Sequence, residues 1–244
     1  MRELTAAHVL RRAAAELIGT AFLLIAVVGS GIAAQRLSPG DRGLALLENA
    51  VATGAALTAI ILAVGSVSGA HLNPVVSVVD AAFGGLRWRD VPAYVVAQVL
   101  GAICGVIVAN LMFSLTAVTI STHDRWNGGI GLGEVVATLG LLMVIFGISR
   151  RGSAATAPLA VGAYISAAYF FTSSTSFANP AVTVGRMLSD TFAGIAPGSV
   201  APFIGAQLAG GALAWLLIRT LFVDARSRAG EVLVPHQASG GPSK

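Results

Sequence analysis

The chain has 244 residues, 55% of them hydrophobic and only 11% charged, with a mean hydropathy of +0.81 and a formal net charge of +4. Soluble domains carry about 25% charged residues, so no water-facing surface can be assembled from what is left; a soluble enzyme, a nucleic-acid binder and a disordered chain are excluded together. The 15 Lys and Arg lie in short connections between apolar runs, where they act as orientation signals for a membrane protein.

The first apolar run, 13–34, is long enough to cross a bilayer, for which about 20 residues suffice. No small-residue cleavage region marks it as a removable signal. Runs 44–66, 91–113, 131–149, 155–172 and 200–222 follow, separated by polar stretches. They do not alternate, which argues against a membrane β-barrel. The 29 glycines favour close helix packing. The single cysteine, Cys104, permits no internal disulfide and no Cys-based metal site; it reads as buried packing in the third span. The tail from Gly230 onward, ending Ala-Ser-Gly-Gly-Pro-Ser-Lys, has a flexible composition.

Two further apolar stretches, 72–83 and 178–192, are too short to span. Each carries Asn-Pro at its second and third positions: Asn73-Pro74-Val75-Val76-Ser77-Val78 and Asn179-Pro180-Ala181-Val182-Thr183-Val184. A second pairing accompanies them, Glu16-Leu-Ile-Gly-Thr20 in the first run and Glu134-Val-Val-Ala-Thr138 in the fourth. Three spans separate the repeats, an odd number, so the second repeat (131–222) is inverted relative to the first (10–114). Short, Pro-interrupted segments in matching places of two halves point to a site at the membrane midplane. Counting Lys and Arg with a cytoplasmic N-terminus gives eleven inside and four outside, the latter Arg36, Arg42, Arg125 and Arg186. That bias places both termini in the cytoplasm.

Irregular backbone at membrane depth survives only where protein buries it or water lines it. Residues 68–72 and 173–178 therefore dip inward and turn into half-helices. Pro74 and Pro180 suit the first helical position, and Asn73 and Asn179 cap orphan donors while their amides face a lumen. Carbonyls of the irregular chain add acceptors. The result is a narrow polar track suited to small neutral hydroxylated solutes, with two positive helix ends at the centre that repel cations and protons. Glu16 and Glu134 read as acceptors that hold the facing loops; a proton relay is the alternative for the same pair. His71 packs its loop or touches the inner vestibule, since no second ligand has metal spacing around it. Glu48 faces the outer vestibule or a subunit interface. Phe170, Phe171 and Phe177 read as core or loop anchors, Phe177 narrowing the pore if its loop turns differently. No nucleophile–His pair, catalytic cluster, cofactor motif or metal site emerges.

With these residues in view, the sequence resembles the aquaporin, or major intrinsic protein, family over about 10–222. Ser68-Gly-Ala-His-Leu-Asn-Pro-Val75 is similar to that family's first box, with Val75 in place of Ala; Asn179-Pro180-Ala181 matches the second. The resemblance implies an all-α, aquaporin-like right-handed bundle of six transmembrane helices plus two half-helices. It also implies one channel domain over 1–222 with a cytoplasmic tail (223–244), a homotetramer with one pore per subunit, and a bacterial inner-membrane location.

The family's outer constriction has four positions, one usually an Arg three residues after the second-box Asn. Here that position is Val182, and the others fall on Thr53, Ser176 and, if no gap intervenes, Ala167. All are small and uncharged, which implies a wide filter. The pattern resembles the bacterial subgroup associated with arsenic resistance, expected to pass trivalent arsenic acids and similar polyol-like molecules such as glycerol. A general water, glycerol, hydrogen peroxide or ammonia pore is the alternative. A secondary transporter is a further one, against which the neutral midplane groups count. Arg186, one turn beyond Val182 and about 6 Å nearer the outside, partly replaces the missing charge from the vestibule, with Asp80 as its counterpart at the cytoplasmic mouth. Both could instead pair with loops and touch no solute.

Overall fold

In a computed structural model of the chain, the described residues are 6–149 and 154–221. They form α1 (Ala6–Leu37), α2 (Arg42–Ser68), α3 (Pro74–Phe83), α4 (Val91–Met112), α5 (Gly128–Ser149), α6 (Ala157–Phe171), α7 (Pro180–Arg186) and α8 (Pro197–Leu221). No strand occurs among the described residues. The helices α1, α2, α4, α5 and α8 are long and apolar enough to cross a membrane. The sixth, α6, has 15 α-helical residues and is entered through a 3-10 turn over Ala154–Thr156. The tail over 223–244 lies outside the described residues.

The packing repeats. In one half α1 packs on α4 and α2; in the other, α5 packs on α8 and α6. The half-helices cross over, α3 reaching α8 and α7 reaching α4. The halves also meet where α2 crosses α6 at Gly54 and Gly162. A Cβ on Gly54 would lie 2.7 Å from the Gly162 carbonyl oxygen, so only glycine permits this approach. Two hydroxyls bracket the crossing: Thr58 Oγ1 donates to the Pro158 carbonyl at 3.2 Å, and Ser166 Oγ to the Ala50 carbonyl at 3.0 Å.

The core between the halves is aliphatic, including Leu24, Val28, Ile61, Val106, Leu142 and Ile145. Large apolar side chains also cover the outside, among them Phe22, Leu62, Leu132 and Leu159. That surface suits hydrocarbon, where a soluble protein would carry charge. Cys104 belongs to this outward face; α4 instead buries Tyr94, Gln98, Gly101 and Gly105, so the cysteine is not core packing. Phe170 and Phe171 are likewise exposed. Glu48 accepts a hydrogen bond from Ser38 Oγ at 2.8 Å, tying down the connection between α1 and α2.

The half-helix α7 is shorter than the apolar stretch that predicts it. It ends at Arg186, after which the chain runs through turns to α8. A loop from α4 to α5 lies over these turns: Thr119 N and Ser121 N donate to the Leu188 and Met187 carbonyls, and Ala196 N to the His123 carbonyl.

Candidate functional site

Both irregular segments use the same backbone conformation at the same spacing. Ala70 and Leu72 have φ of 48° and 52°; Ser176 and Ala178 have φ of 48° and 50°. Left-handed conformation costs a non-glycine residue about 1–3 kcal/mol, so something must hold it. Glu16 accepts from His71 N at 2.9 Å, Leu72 N at 2.6 Å, Ser68 Oγ at 2.6 Å and Gln98 Nε2 at 2.7 Å. Glu134 accepts from Phe177 N at 2.8 Å, Ala178 N at 2.9 Å and Gln207 Nε2 at 2.6 Å. Gln98 also donates to Ser77 Oγ and Gln207 to Thr183 Oγ1, so each glutamine links its carboxylate to a half-helix. The sequence reading did not single out these two glutamines. The available signal was a lone Gln in the third span and another in the sixth, each costly to bury without a partner.

Each asparagine works on both repeats. Asn73 Oδ1 accepts from Val75 N at 2.9 Å, and its Nδ2 donates to the Ala178 carbonyl at 2.7 Å. Asn179 Oδ1 accepts from Ala181 N at 3.0 Å, and its Nδ2 donates to the Leu72 carbonyl at 2.7 Å. One amide hydrogen of each therefore ties the half-helices together, leaving one for the lumen. Pro74, Val75, Pro180 and Ala181 are buried and do not line the central cavity. Val75 packs against α8, where a Cβ on Gly211 would lie 2.6 Å from Val75 Cγ1. A glycine opposite makes room for the larger box residue.

The central cavity has a volume of about 60 Å³. One wall is made of pairs equivalent in the two repeats: Leu23 and Leu141, Val27 and Ile145, Val76 and Val182. His71, Asn73, Asn179, Ser176, Tyr169 and Arg186 supply the polar lining. Ser176 Oγ is buried with no hydrogen-bond partner, which leaves it available to a solute.

Thr53, Ser176 and Val182 all line this cavity, but Ala167 does not. Ala167 is exposed on the outside of α6, and Tyr169 occupies the cavity wall beside Thr53, its hydroxyl 3.3 Å from Thr53 Oγ1. The register of α6 is set by Gly162 on Gly54 and by Ser166 on the Ala50 carbonyl. One turn on from Ile165, that register delivers Tyr169. The cavity wall at this level thus carries an aromatic ring beside the small residues.

Arg186 is buried and lines both the cavity and a vestibule of about 690 Å³ beyond it. Its Nε donates to the Ala193 carbonyl, and its guanidinium carbon stands 3.5 Å from the Phe177 ring centroid. Among the described residues no carboxylate lies within 4.0 Å of it. The equivalent positions in the first repeat hold His71 and Asp80, with Nε2 and Oδ2 3.4 Å apart. Asp80 is buried beside His71 and does not line the central cavity.

The connection from α4 to α5 is held by two exposed carboxylates. Asp190 accepts from Thr122 N at 2.9 Å, and this bond lowers its pKa below the ordinary value. Asp124 accepts from Ser199 Oγ at 2.6 Å and from Trp126 N at 3.2 Å, and is lowered likewise, chiefly by the serine.

The sequence profile of the family described as Major intrinsic protein matches residues 3–178. The chain belongs to the major intrinsic protein family. Aquaglyceroporin AqpS of Rhizobium meliloti is 48% identical over 216 residues, covering 88% of this chain and 92% of that one. Aquaporin NIP1-1 of Zea mays is 34% identical over 219 residues, covering 84% and 73%. The X-ray structure of the aquaglyceroporin from Plasmodium falciparum superposes with a TM-score of 0.69 at 22% identity, covering 89% of this chain and 98% of that one. The fold is therefore aquaporin-like, and the chain is a multi-pass membrane protein of a channel family.

Proposed function

We propose that the chain is a passive channel for small uncharged solutes, with trivalent arsenic acid, As(OH)3, and glycerol as its substrates. The observation that carries this reading is the two-sided lumen. Aliphatic residues of both repeats face a solute's apolar side, while the two asparagines, Ser176 and Tyr169 meet its hydroxyls. As(OH)3 is uncharged at neutral pH and presents three hydroxyl groups on a compact centre, the same recognition problem as a polyol. The 48% identity to a protein named an aquaglyceroporin supports the polyol class.

Asn73 and Asn179 act as donors at the midplane, and Thr53, Tyr169, Ser176 and Val182 form the constriction. Arg186 faces the solute from its outer side. The two repeats make one channel domain over 1–222, with both termini in the cytoplasm of a bacterial inner-membrane protein that assembles as a homotetramer with one pore per subunit. A second reading, a pore for water, hydrogen peroxide or ammonia, is favoured by the small lumen that Tyr169 and Phe177 leave.

Proteoliposome flux of water, glycerol and arsenite separates these readings. Glycerol and arsenite fluxes proportional to concentration and indifferent to a proton gradient are expected. Water flux alone favours the second reading, and saturation at low concentration or proton dependence indicates a transporter. Val182→Arg adds bulk and a strong donor at the constriction, so it should lower glycerol and arsenite flux more than water flux. Equal changes in all three would show that the constriction lies elsewhere.

A further inference from the structure

We propose that the outer vestibule contains a binding site for a small inorganic oxyanion, built from Arg186 and Arg125, and that its occupant blocks the channel from outside. The site itself is independent of the channel reading; the block rests on it.

Arg186 is 3% exposed, and no carboxylate lies within 4.0 Å of it among the described residues; Glu134, which acts on it from farther away, is taken up by Phe177 N, Ala178 N and Gln207 Nε2. With Nε on the Ala193 carbonyl, both terminal nitrogens remain unbonded to protein where the side chain meets the cavity and the vestibule. Arg125 comes to the same place from the α4–α5 loop. Its Nε donates to the Gly194 carbonyl at 2.6 Å and its Nη2 to the Phe192 carbonyl at 2.8 Å, leaving Nη1. Three consecutive carbonyls, 192 to 194, thus hold two arginines in alternation. Both guanidinium carbons stand near one ring, 3.5 Å and 5.6 Å from the Phe177 centroid, so they can be no farther apart than those two distances together.

Two like charges held this close repel, and a buried charge without a counterion is costly. The vestibule wall does not offset them. Its carboxylates are Asp41 and Asp124, and both are engaged by protein donors: Asp41 by Leu44 N at 2.9 Å, and Asp124 by Ser199 Oγ and Trp126 N. Arg42 adds a third cation to the same wall. Two planar guanidinium groups with unused N–H donors match the several oxygens of a tetrahedral oxyanion, whereas chloride gains only from their charge. Because Arg186 also lines the central cavity, an anion bound to it stands in the solute's path.

The test uses sulfate and inorganic phosphate as probes. Glycerol flux is measured at constant ionic strength with sulfate or phosphate replacing chloride, in right-side-out and inside-out vesicles. A saturable block of at least about tenfold, from the outer face only, is expected. Arg125→Gln should raise the half-blocking concentration about tenfold or more, and Arg186→Lys, which keeps the charge but loses the fork, should also raise it. Sulfate titration of the purified full-length protein reads binding without any flux. Conducting protein that neither binds sulfate nor is blocked overturns the site, as does equal block by chloride or equal block from both faces. Protein that binds sulfate through both arginines yet passes no glycerol supports the site and counts against the channel reading instead.

Discussion

Tyr169 and Ala167 sit two residues apart on α6 and face opposite environments. Tyr169 is buried against Thr53 at the cavity wall, and Ala167 is exposed. Removing the ring should widen the cavity beside Thr53, at a cost in core packing because Tyr169 is buried. Tyr169→Ala is expected to raise glycerol flux relative to water flux, with Ala167→Leu leaving the ratio unchanged. Sensitivity at Ala167 and none at Tyr169 would return the constriction to the straight count from Asn179. That count lands on exposed Ala167 instead of on the cavity wall for a physical reason. It crosses the irregular segment 173–178, whose left-handed residues Thr175, Ser176 and Ala178 give it no fixed rise per residue. The register of α6 is set instead by Gly162 against Gly54.

In both irregular segments, a carboxylate from a neighbouring helix accepts N–H groups of the left-handed turn. In Glu134→Ala, Phe177 N and Ala178 N lose their acceptor, at about 1–3 kcal/mol for each buried donor left unpaired. A clear fall in thermal unfolding temperature in detergent is expected, with Glu134→Gln, which keeps one acceptor oxygen, losing less. No fall in either variant would mean that the segment is held otherwise. The connection from α4 to α5 behaves differently because the carboxylates that hold it are exposed. Asp124 and Asp190 have folded pKa values below the ordinary 3.8. A depressed carboxylate contributes stability above its unfolded value and loses it as pH falls through the folded one. The loop should therefore hold from neutral pH to about 3.8 and loosen only below it. Trp126, whose N–H donates to Asp124 and whose ring lies 6.1 Å from that of Phe203, reports this. Its fluorescence in a Trp88→Phe, Trp215→Phe background should stay constant over that range and shift beneath it.

Over the whole molecule, two inverted repeats meet at a pair of asparagines. Much of this was legible beforehand. Six apolar runs, two Asn-Pro boxes, Glu16 with Glu134, and Arg186 one turn past Val182 could all be read because polar groups in apolar runs are costly and rarely occur without a partner. The partners were not legible. Gln98 and Gln207, the carbonyls of 192–194, the ring of Phe177 and the second cation Arg125 come from distant segments. By itself the sequence determined a membrane-embedded, twofold-repeated all-α channel fold and the residues at its midplane, because hydrophobic length and repeat spacing are local properties. Only the tertiary structure decided which side chain stands beside Thr53 on the cavity wall and which second cation joins Arg186, because both depend on helix register and on chain returning from elsewhere.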